Sequence, residues 1–519
     1  MPISFDNIPQ NWRMPLYWVE VDPSMAGLPI VRNPALLVGS MIPATPPPPT
    51  GVVAGIGVPN VPIPIGTQAQ ADHYFGQGSE IGCMVQAFLA NNFAQEMWCL
   101  PVTTPVGAVA AHGDITFTSP ATEAGMLNVY IAGHLVAIVV GTTDTTANIA
   151  TNLAAAINNN DALPVYAVAT TNKCTITCKT PGVNGNDISV WLNYYGAIGG
   201  QELPPGLVVT LPANNMLSGG AGIPDYTAGI AALGEQQFEY VALANTDSNT
   251  LFMWEQEYGF GDTGRWGWMR QLYGHLFAAK RDTYSNLIIW GATQNSGVLS
   301  VMAVEPNAPS PTYEWACAYT AKAARALTND PARPLQTLTL DSILPAKGND
   351  RFNLPELNSL SGAGIATQQA SLTNVSHIMR ETTTYQLNLY GQSDDAYELV
   401  TTLATLAKLI RNQRQVITSK YPRYKLADDG TRFGVGQKIV TPKVITAELV
   451  AQYAIDEFNG LVENLQAFKD HLVVERDNQD PNRLNVLYPP DLVNQLRVFA
   501  VLAQFRLQYD RGQDLEIIN

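Results

Sequence analysis

Charge is what this chain has least of. Of its 519 residues, 14% are Asp, Glu, Lys or Arg, against roughly 25% in an average globular protein. The 29 Lys and Arg set against 44 Asp and Glu leave a formal net charge of −15. Nucleic acid and anionic lipid headgroups select clustered cations, so nonspecific binding to either is disfavoured. Acidity from so few charges is not the dense like-charge pattern of a disordered chain. With 46% hydrophobic residues there is material for several cores, and this length predicts two to four domains. The charges are also uneven. Residues 1–230 carry 4 of the 29 Lys and Arg and 13 of the 44 Asp and Glu. So bare a surface must be covered by Thr, Asn, Gln, Gly and Pro, or by other protein subunits.

Long apolar runs are missing too. The longest, Val129–Val140, is broken by Gly133 and His134 and falls well short of the ~20 residues that span a bilayer. The opening MPISFDNIPQNW lacks the basic and apolar regions of a signal peptide, so a soluble protein made in a cytoplasm is expected. Five cysteines, an odd number, make no disulfide framework. Cys174 and Cys178 sit four apart on an alternating strand pattern, ~13 Å from each other, too far to bridge. Cys83, Cys99, Cys174, Cys178 and Cys317 read as partly buried thiols, with an inter-subunit disulfide as the sharper alternative. The six histidines are scattered, none at HxxxH or HExxH spacing. No phosphate loop GxxxxGK[ST] and no GxSxG elbow occurs. Gly259–Gly264 fits GxGxxG, but the preceding LFMWEQEY reads as a helix where a dinucleotide site needs a strand. Asp341, His275 and Ser285 form a triad only on paper. No metal, cofactor or catalytic residue is expected.

What is present is a sequence of segments of different character. Residues 1–66 read as an extended arm, with eight prolines between Pro43 and Pro64 and one strand candidate, Ala35–Val38. A helix opening at Ser79 and a buried strand Met97–Val102 follow. Residues 107–217 are rich in Thr, Ala, Asn and Gly. A hairpin (Leu127–Ile131 with Leu135–Val140), a helix after Asp144–Thr146, strands Val165–Thr170 and Thr175–Lys179, and Ile188–Leu192 make this a candidate inserted outer β-rich domain. Residues 67–106 and 218–395 read as a discontinuous α/β core. Phe238–Ala244 and Leu287–Trp290 look like buried parallel strands, and Arg265–Lys280 and Pro311–Leu327 like helices. Residues 396–519 read as an α+β C-terminal domain. There Asp394 and Asp395 open a helix closed by Lys408, Arg411 and Arg414, and Leu426–Phe433 signals a hairpin. Thr446–Leu472 forms one amphipathic helix with an acidic face at Glu448, Asp456, Glu463 and Asp470. Pro489–Asp491 opens a last helix, and Phe505, Leu507 and Tyr509 alternate as a strand.

Several stretches resemble the contractile-tail sheath proteins of myophages, the Mu-like branch above all. They are PRYKLADDGTRFG (422–434), KIVTPKVITAELVAQY (438–453), GLVENLQAFKDHLVVERDNQDPNRLNVLYPPDLVNQLRVFA (460–500) and TTTYQLN (382–388). ISFDNIPQNWRMPLYWVEVDPSMAG (3–27), NDPARPLQTL (329–338) and GNDI (185–188) resemble it as well. The resemblance implies a subtilisin-like, non-catalytic α/β core, an outer insertion, and an inner C-terminal domain facing a tail tube. It implies a helical homopolymer of stacked rings in the virion tail, assembled in the host cytoplasm, whose partners are the tube, baseplate and tail terminator proteins. Contraction drives the tube through the host envelope without nucleotide.

The termini fit such an assembly. Ile3, Phe5 and Ile8 at one end, and Leu515, Ile517 and Ile518 at the other, lie in segments too short to fold alone. Each segment suits addition as a strand to another copy's sheet edge. The receiving edge is expected at Phe505, Leu507 and Tyr509 and at Ile439. The acidic residues of Thr446–Leu472 are candidates to face a basic tube. The competing readings are another virion tail protein, baseplate or tube-associated, and an α/β hydrolase-type enzyme.

Overall fold

The computed structural model describes residues 33–45 and 47–505, with 13–15 and 19 besides. Ile3, Phe5, Ile8, Leu507, Tyr509, Leu515, Ile517 and Ile518 lie outside the described residues. The chain enters through β1 (Ala35–Ser40), followed by β2 (Ile63–Ile65), α1 (Gln68–Phe75), α2 (Glu80–Asn91) and β3 (Met97–Val102). All six residues of β1 are buried. It is the centre of the main sheet, although its sequence neighbourhood reads as an arm. The prolines belong to the connection that follows it.

Residues 112–210 supply β4 (His112–Ser119), β5 (Gly125–Ile131), β6 (His134–Val140), α3 (Thr146–Asn158), β7 (Val165–Thr170), β8 (Lys173–Cys178), β9 (Val190–Leu192) and β10 (Val208–Thr210). They form two antiparallel sheets, β10-β4-β8-β7 and β6-β5-β9. Ile149, Leu153 and Ile157 of α3 are buried in one apolar cluster with Ile115, Leu127 and Ile176. Thr145 caps α3 by accepting from Asn148 N–H at 3.2 Å.

The main sheet then resumes with α4 (Thr227–Leu233), β11 (Tyr240–Leu243), α5 (Ser248–Tyr258), β12 (His275–Arg281), α6 (Tyr284–Gly291), β13 (Leu299–Val304) and α7 (Thr312–Asn329). After β14 (Thr339–Leu340), α8 (Leu354–Gly362), β15 (Thr367–Ala370) and β16 (Ser376–Arg380), a three-stranded antiparallel sheet β14-β16-β15 closes this part. The main sheet runs β13-β12-β11-β1-β3-β2. Five of its strands are parallel, and β2 is antiparallel on the edge. Alternate side chains leave each strand on opposite faces. Leu37, Ala242 and Phe277 pack against α2 and the alanine-rich α7. Leu36, Val241 and Leu276 pack against Leu251 and Trp254 of α5 and against Leu403, farther along the chain.

The C-terminal part holds α9 (Val400–Lys420), β17 (Lys425–Leu426), β18 (Ile439–Val440), α10 (Pro442–Phe458), α11 (Leu465–His471), β19 (Val473–Arg476) and β20 (Leu484–Leu487).

Several expectations are corrected. The fold is not a subtilisin-like α/β core. The sheet carries an antiparallel edge strand and is split after β3 by two antiparallel sheets, and β13 adjoins an antiparallel three-stranded sheet through the Met302–Ala366 bridge. Arg265–Lys280 is not a helix. Residues 265–274 turn back on themselves, and β12 follows. Leu287–Trp290 is helix α6, started by Thr283, which accepts from Asn286 N–H at 3.4 Å. Asp394 and Asp395 precede α9, whose N-cap is Leu399 and whose end is Lys420. β17 and β18 pair in parallel across a twelve-residue connection, so 426–433 is no hairpin. Thr446–Leu472 is two helices, because Gly460 and Asn464 adopt positive φ (73° and 59°) between α10 and α11. No helix follows Pro489 among the described residues.

Candidate assembly surfaces

Beyond Tyr488 the described chain runs as an extended strap to Phe505, with one bridge, Val462–Leu492, as its ordered pairing. Three of its ties to the rest of the chain fix its course. Asp491 N–H donates to the Tyr453 hydroxyl at 3.2 Å. Gln495 donates to the Ala332 carbonyl at 2.5 Å. The Arg497 guanidinium donates to both carboxylate oxygens of Glu381, a residue with no exposed surface. A bidentate pair of this kind fixes orientation as well as position. Past that clamp Val498, Phe499, Val501, Leu502 and Phe505 are 69–85% exposed. Phe505 is an uncovered apolar side chain at the end of the described residues, outside any strand among them. Ile439 does lie on a strand, β18, half-buried, in a sheet of two strands. Among the described residues, no further strand pairs with either two-stranded sheet, β17-β18 or β19-β20.

The acidic residues do not share one presented face. The Glu448 carboxylate accepts from Lys420 Nζ at 2.6 Å and from the Tyr421 hydroxyl at 2.8 Å, and these partners hold it below the usual carboxylate range against the opposing effect of burial. Asp456 is fully buried, accepts from Asn412 and Gln452 at 2.7 and 3.0 Å, and burial pushes its pKa up. Glu463 is half-buried, and only Asp470 is exposed. The helical period places 448 and 456 toward α9, the neighbour that sequence alone does not reveal. Two of the four carboxylates expected to face the tube, Glu448 and Asp456, are internal ties instead.

A feature that sequence reasoning missed is the loop 259–274. Arg265, fully buried, donates to Glu257 Oε1 at 2.7 Å and to the Gln236 and Gly234 carbonyls at 2.6 and 3.2 Å. Its guanidinium lies 5.2 Å from the Tyr258 ring centroid. Arg270 adds bonds to Glu257 (3.0 Å) and to the Gly234 carbonyl (2.8 Å). The GxGxxG glycines serve this turn: a Cβ on Gly264 would stand 2.1 Å from the Gly259 carbonyl oxygen. The loop ends in Trp268, 71% exposed, and Met269, 56% exposed. The signal for it was the Arg-Trp-Gly-Trp run, too polar and glycine-rich for the helix it resembled.

The candidate triad is not assembled. His275 is buried on β12 with Trp266 and Phe277 around its ring, and burial drives its pKa down to about 3. Ser285 is exposed on α6, and the Asp341 carboxylate is paired with Lys322 at 2.7 Å. All five cysteines are buried and free, with Cys174 and Cys178 pushed by burial up to about 12, so none is placed for a bridge between subunits. Among the described residues no group of three or more His, Cys, Asp or Glu is arranged to hold a metal, and no helix is long and apolar enough to cross a membrane.

Comparison with known proteins gives these surfaces a context. Residues 219–384 match the phage tail sheath protein central domain, and residues 392–506 the phage tail sheath C-terminal domain. The chain is 37% identical over 509 residues to the Mu-like prophage FluMu tail sheath protein of Haemophilus influenzae, covering 98% of this chain and all of that one. Among solved structures it is similar to the sheath tail protein from Desulfitobacterium hafniense, with a TM-score of 0.47 at 10% identity over 93% of this chain and 100% of the other. It is also similar to that from Listeria innocua, with a TM-score of 0.46 at 11% identity over 89% and 92%. The 37% identity to a tail sheath protein over the whole of its length gives this chain the distinct fold of that family and not a subtilisin-like one, and the protein is a structural, non-catalytic component of the virion's contractile tail. On the strength of the 37% identity across nearly its whole length, the chain belongs to the phage tail sheath protein family.

Proposed function

We propose that this sheath subunit joins its copies into a helical mesh around the tail tube by lending its terminal segments as strands to its neighbours. The observation that carries this is the C-terminal strap: clamped at Arg497, then apolar and uncovered through Phe505, on a molecule whose two-stranded sheets have no further strand paired to them among the described residues. Ile3, Phe5 and Ile8, and Leu515, Ile517 and Ile518, are the strand residues offered, and the β17-β18 edge at Ile439 is the receiver. Each main-chain hydrogen bond nets ~1 kcal/mol, and a few per strand, repeated in every copy, hold a mesh while the subunit bodies rotate. Contacts that are not self-complementary generate open helical assemblies. In this reading residues 396–519 lie toward the tube, residues 107–217 lie outward, and the ends of the polymer meet the baseplate and a tail terminator.

Deleting Met1–Ile8 or Arg511–Asn519 is the test. Each truncated protein is expected to keep its melting transition and to form no ordered tubes in negative-stain images. Tubes of normal order from both truncations would overturn strand exchange.

A further inference from the structure

Two apolar features outside the strap are left uncovered by the described residues, and they complement each other. The first is the tip of loop 259–274, Trp268 and Met269, held rigid by the buried Arg265 and Arg270 bonds. Ordering two arginines to present an exposed indole is costly in conformational entropy, and large aromatics on rigid supports are the anchors of protein interfaces. The second is a cavity of about 640 Å³ whose lining includes Met41, Ile42, Pro48, Pro105, Val106 and Lys179. Its walls are mostly apolar, and Ile56 and Val106 on its rim are exposed. Proline rings offer flat apolar faces to an aromatic ring.

The charges match as well. Asp262 accepts from the Trp268 indole N–H at 3.1 Å, so the knob carries a carboxylate beside its ring. The cavity carries Lys179, whose Nζ donates to the Asp161 carbonyl at 2.8 Å and the Gln77 carbonyl at 3.3 Å and retains a third N–H. An ammonium near an indole face is attractive.

The topology sets the geometry of contact. The cavity is built from the segments that leave the C-terminal ends of β1 and β3. The knob lies between α5 and the N-terminal end of β12, in the same parallel set. The two therefore sit at opposite ends of the sheet, separated by at least the ~20 Å length of a six-residue strand. A contact between them leaves one free knob and one free cavity on any row of copies, so it propagates.

We propose that Trp268 and Met269 of one copy dock in the proline-lined cavity of the next copy, head to tail along the strand direction. This rests on the reading of the chain as a polymerising sheath subunit. The test uses the full chain carrying Met269→Cys and Val106→Cys together, polymerised, oxidised with diamide and run on an unreduced gel. The native thiols are all buried. A ladder reaching trimers and beyond is expected, with each single-cysteine variant remaining monomeric. Dimers alone, or dimers from a single variant, would mean a closed or like-with-like contact and overturn the proposal. Monomers in a sample whose polymers are visible by electron microscopy would overturn it and leave the sheath reading standing. Absence of polymers from the unsubstituted protein would overturn both. Independently, Trp268→Ala should raise the protein concentration at which polymers appear at least tenfold, roughly the scale of an interface hot spot, with an unchanged melting transition. An unchanged threshold would refute the contact.

Discussion

His275 shows what a single residue contributes when it is read in place. In the sequence it is one member of a possible triad. In the structure it is a buried imidazole at the start of β12, with neither ring nitrogen hydrogen-bonded to the protein. Burial is the larger cause, and Arg411, itself paired with Glu239, further disfavours the imidazolium. Its folded pKa of about 3 lies below the ordinary value of 6.5. For a base held neutral, the unfolded chain binds the proton first. Its contribution is intact above pH 6.5 and is lost as pH falls toward 3, at about 1.4 kcal/mol per pH unit. His275→Phe should flatten the stability curve by that slope between pH 6.5 and 4, as read from urea unfolding at each pH. Equal slopes for the two proteins would refute it. Glu239 and Arg411 make the complementary case. The carboxylate side chain is 5% exposed, so Arg411→Met leaves a buried charge unpaired and is expected to cost about 3–5 kcal/mol at pH 7, measured by the same unfolding midpoint.

At the scale of elements, the loop 259–274 separates two glycines that sequence cannot rank. Gly264 faces the Gly259 carbonyl oxygen at 2.1 Å from where a Cβ would sit, and Gly261 has nothing within 4 Å. Gly264→Ala should therefore cost about 1–3 kcal/mol through overpacking, and Gly261→Ala less than about 0.5. Equal denaturation midpoints for the two variants would show that the turn is not the constraint. The elements that were legible from sequence carried local signals. The Thr145 cap and apolar spacing announced α3, the turn at Ala132–His134 announced β5 and β6, and the alanine-rich run after Pro311 announced α7. The exchange of strand for helix at 265–290 has a physical cause. β12 is buried on both faces, so HLFAA shows no period of two. In α6 the apolar run Leu287–Trp290 includes Ile289, 68% exposed, which no burial pattern anticipates. The central place of β1 was equally hidden, because a strand is placed by its partners, here β3 and β11, whose paired residues Met97 and Tyr240 lie far along the sequence from Ala35. The acidic residues failed as a site for the same reason: Lys420, Tyr421 and Asn412, which take up Glu448 and Asp456, belong to another helix or its end.

For the whole molecule, the scarcity of charge over residues 1–230 is met in two environments among the described residues. One is the interior strands β1 and β3, where charges are excluded by burial. Another is the two-sheet unit between Ala108 and Ala221, whose apolar cluster draws every member from residues 111–217. The ends of this unit meet in antiparallel bridges, Val109 with Ala221 and His112 with Ser218, placing the paired Cα atoms ~5 Å apart. Its seam with the main sheet is polar. Asp187 accepts from Arg281 Nε at 2.6 Å, Asn184 donates to Glu80 at 2.9 Å, and the Ser189 and Tyr194 hydroxyls donate to the Pro309 and Pro345 carbonyls at 2.6 and 2.7 Å. A closed apolar core, adjoining ends and a hydrogen-bonded seam are the features of a unit expected to fold without the rest of the chain. Its length also falls in the 50–200 residue range of independent domains. Residues 108–221 expressed alone should therefore give a dispersed NMR spectrum and a single cooperative unfolding transition. Their replacement in the full chain by a short Gly-Ser turn should leave the main sheet folded, because Glu80, whose pKa burial now raises, becomes solvated when the seam is removed. A collapsed, undispersed spectrum from the isolated unit would show that the seam, and not the internal cluster, holds those strands together.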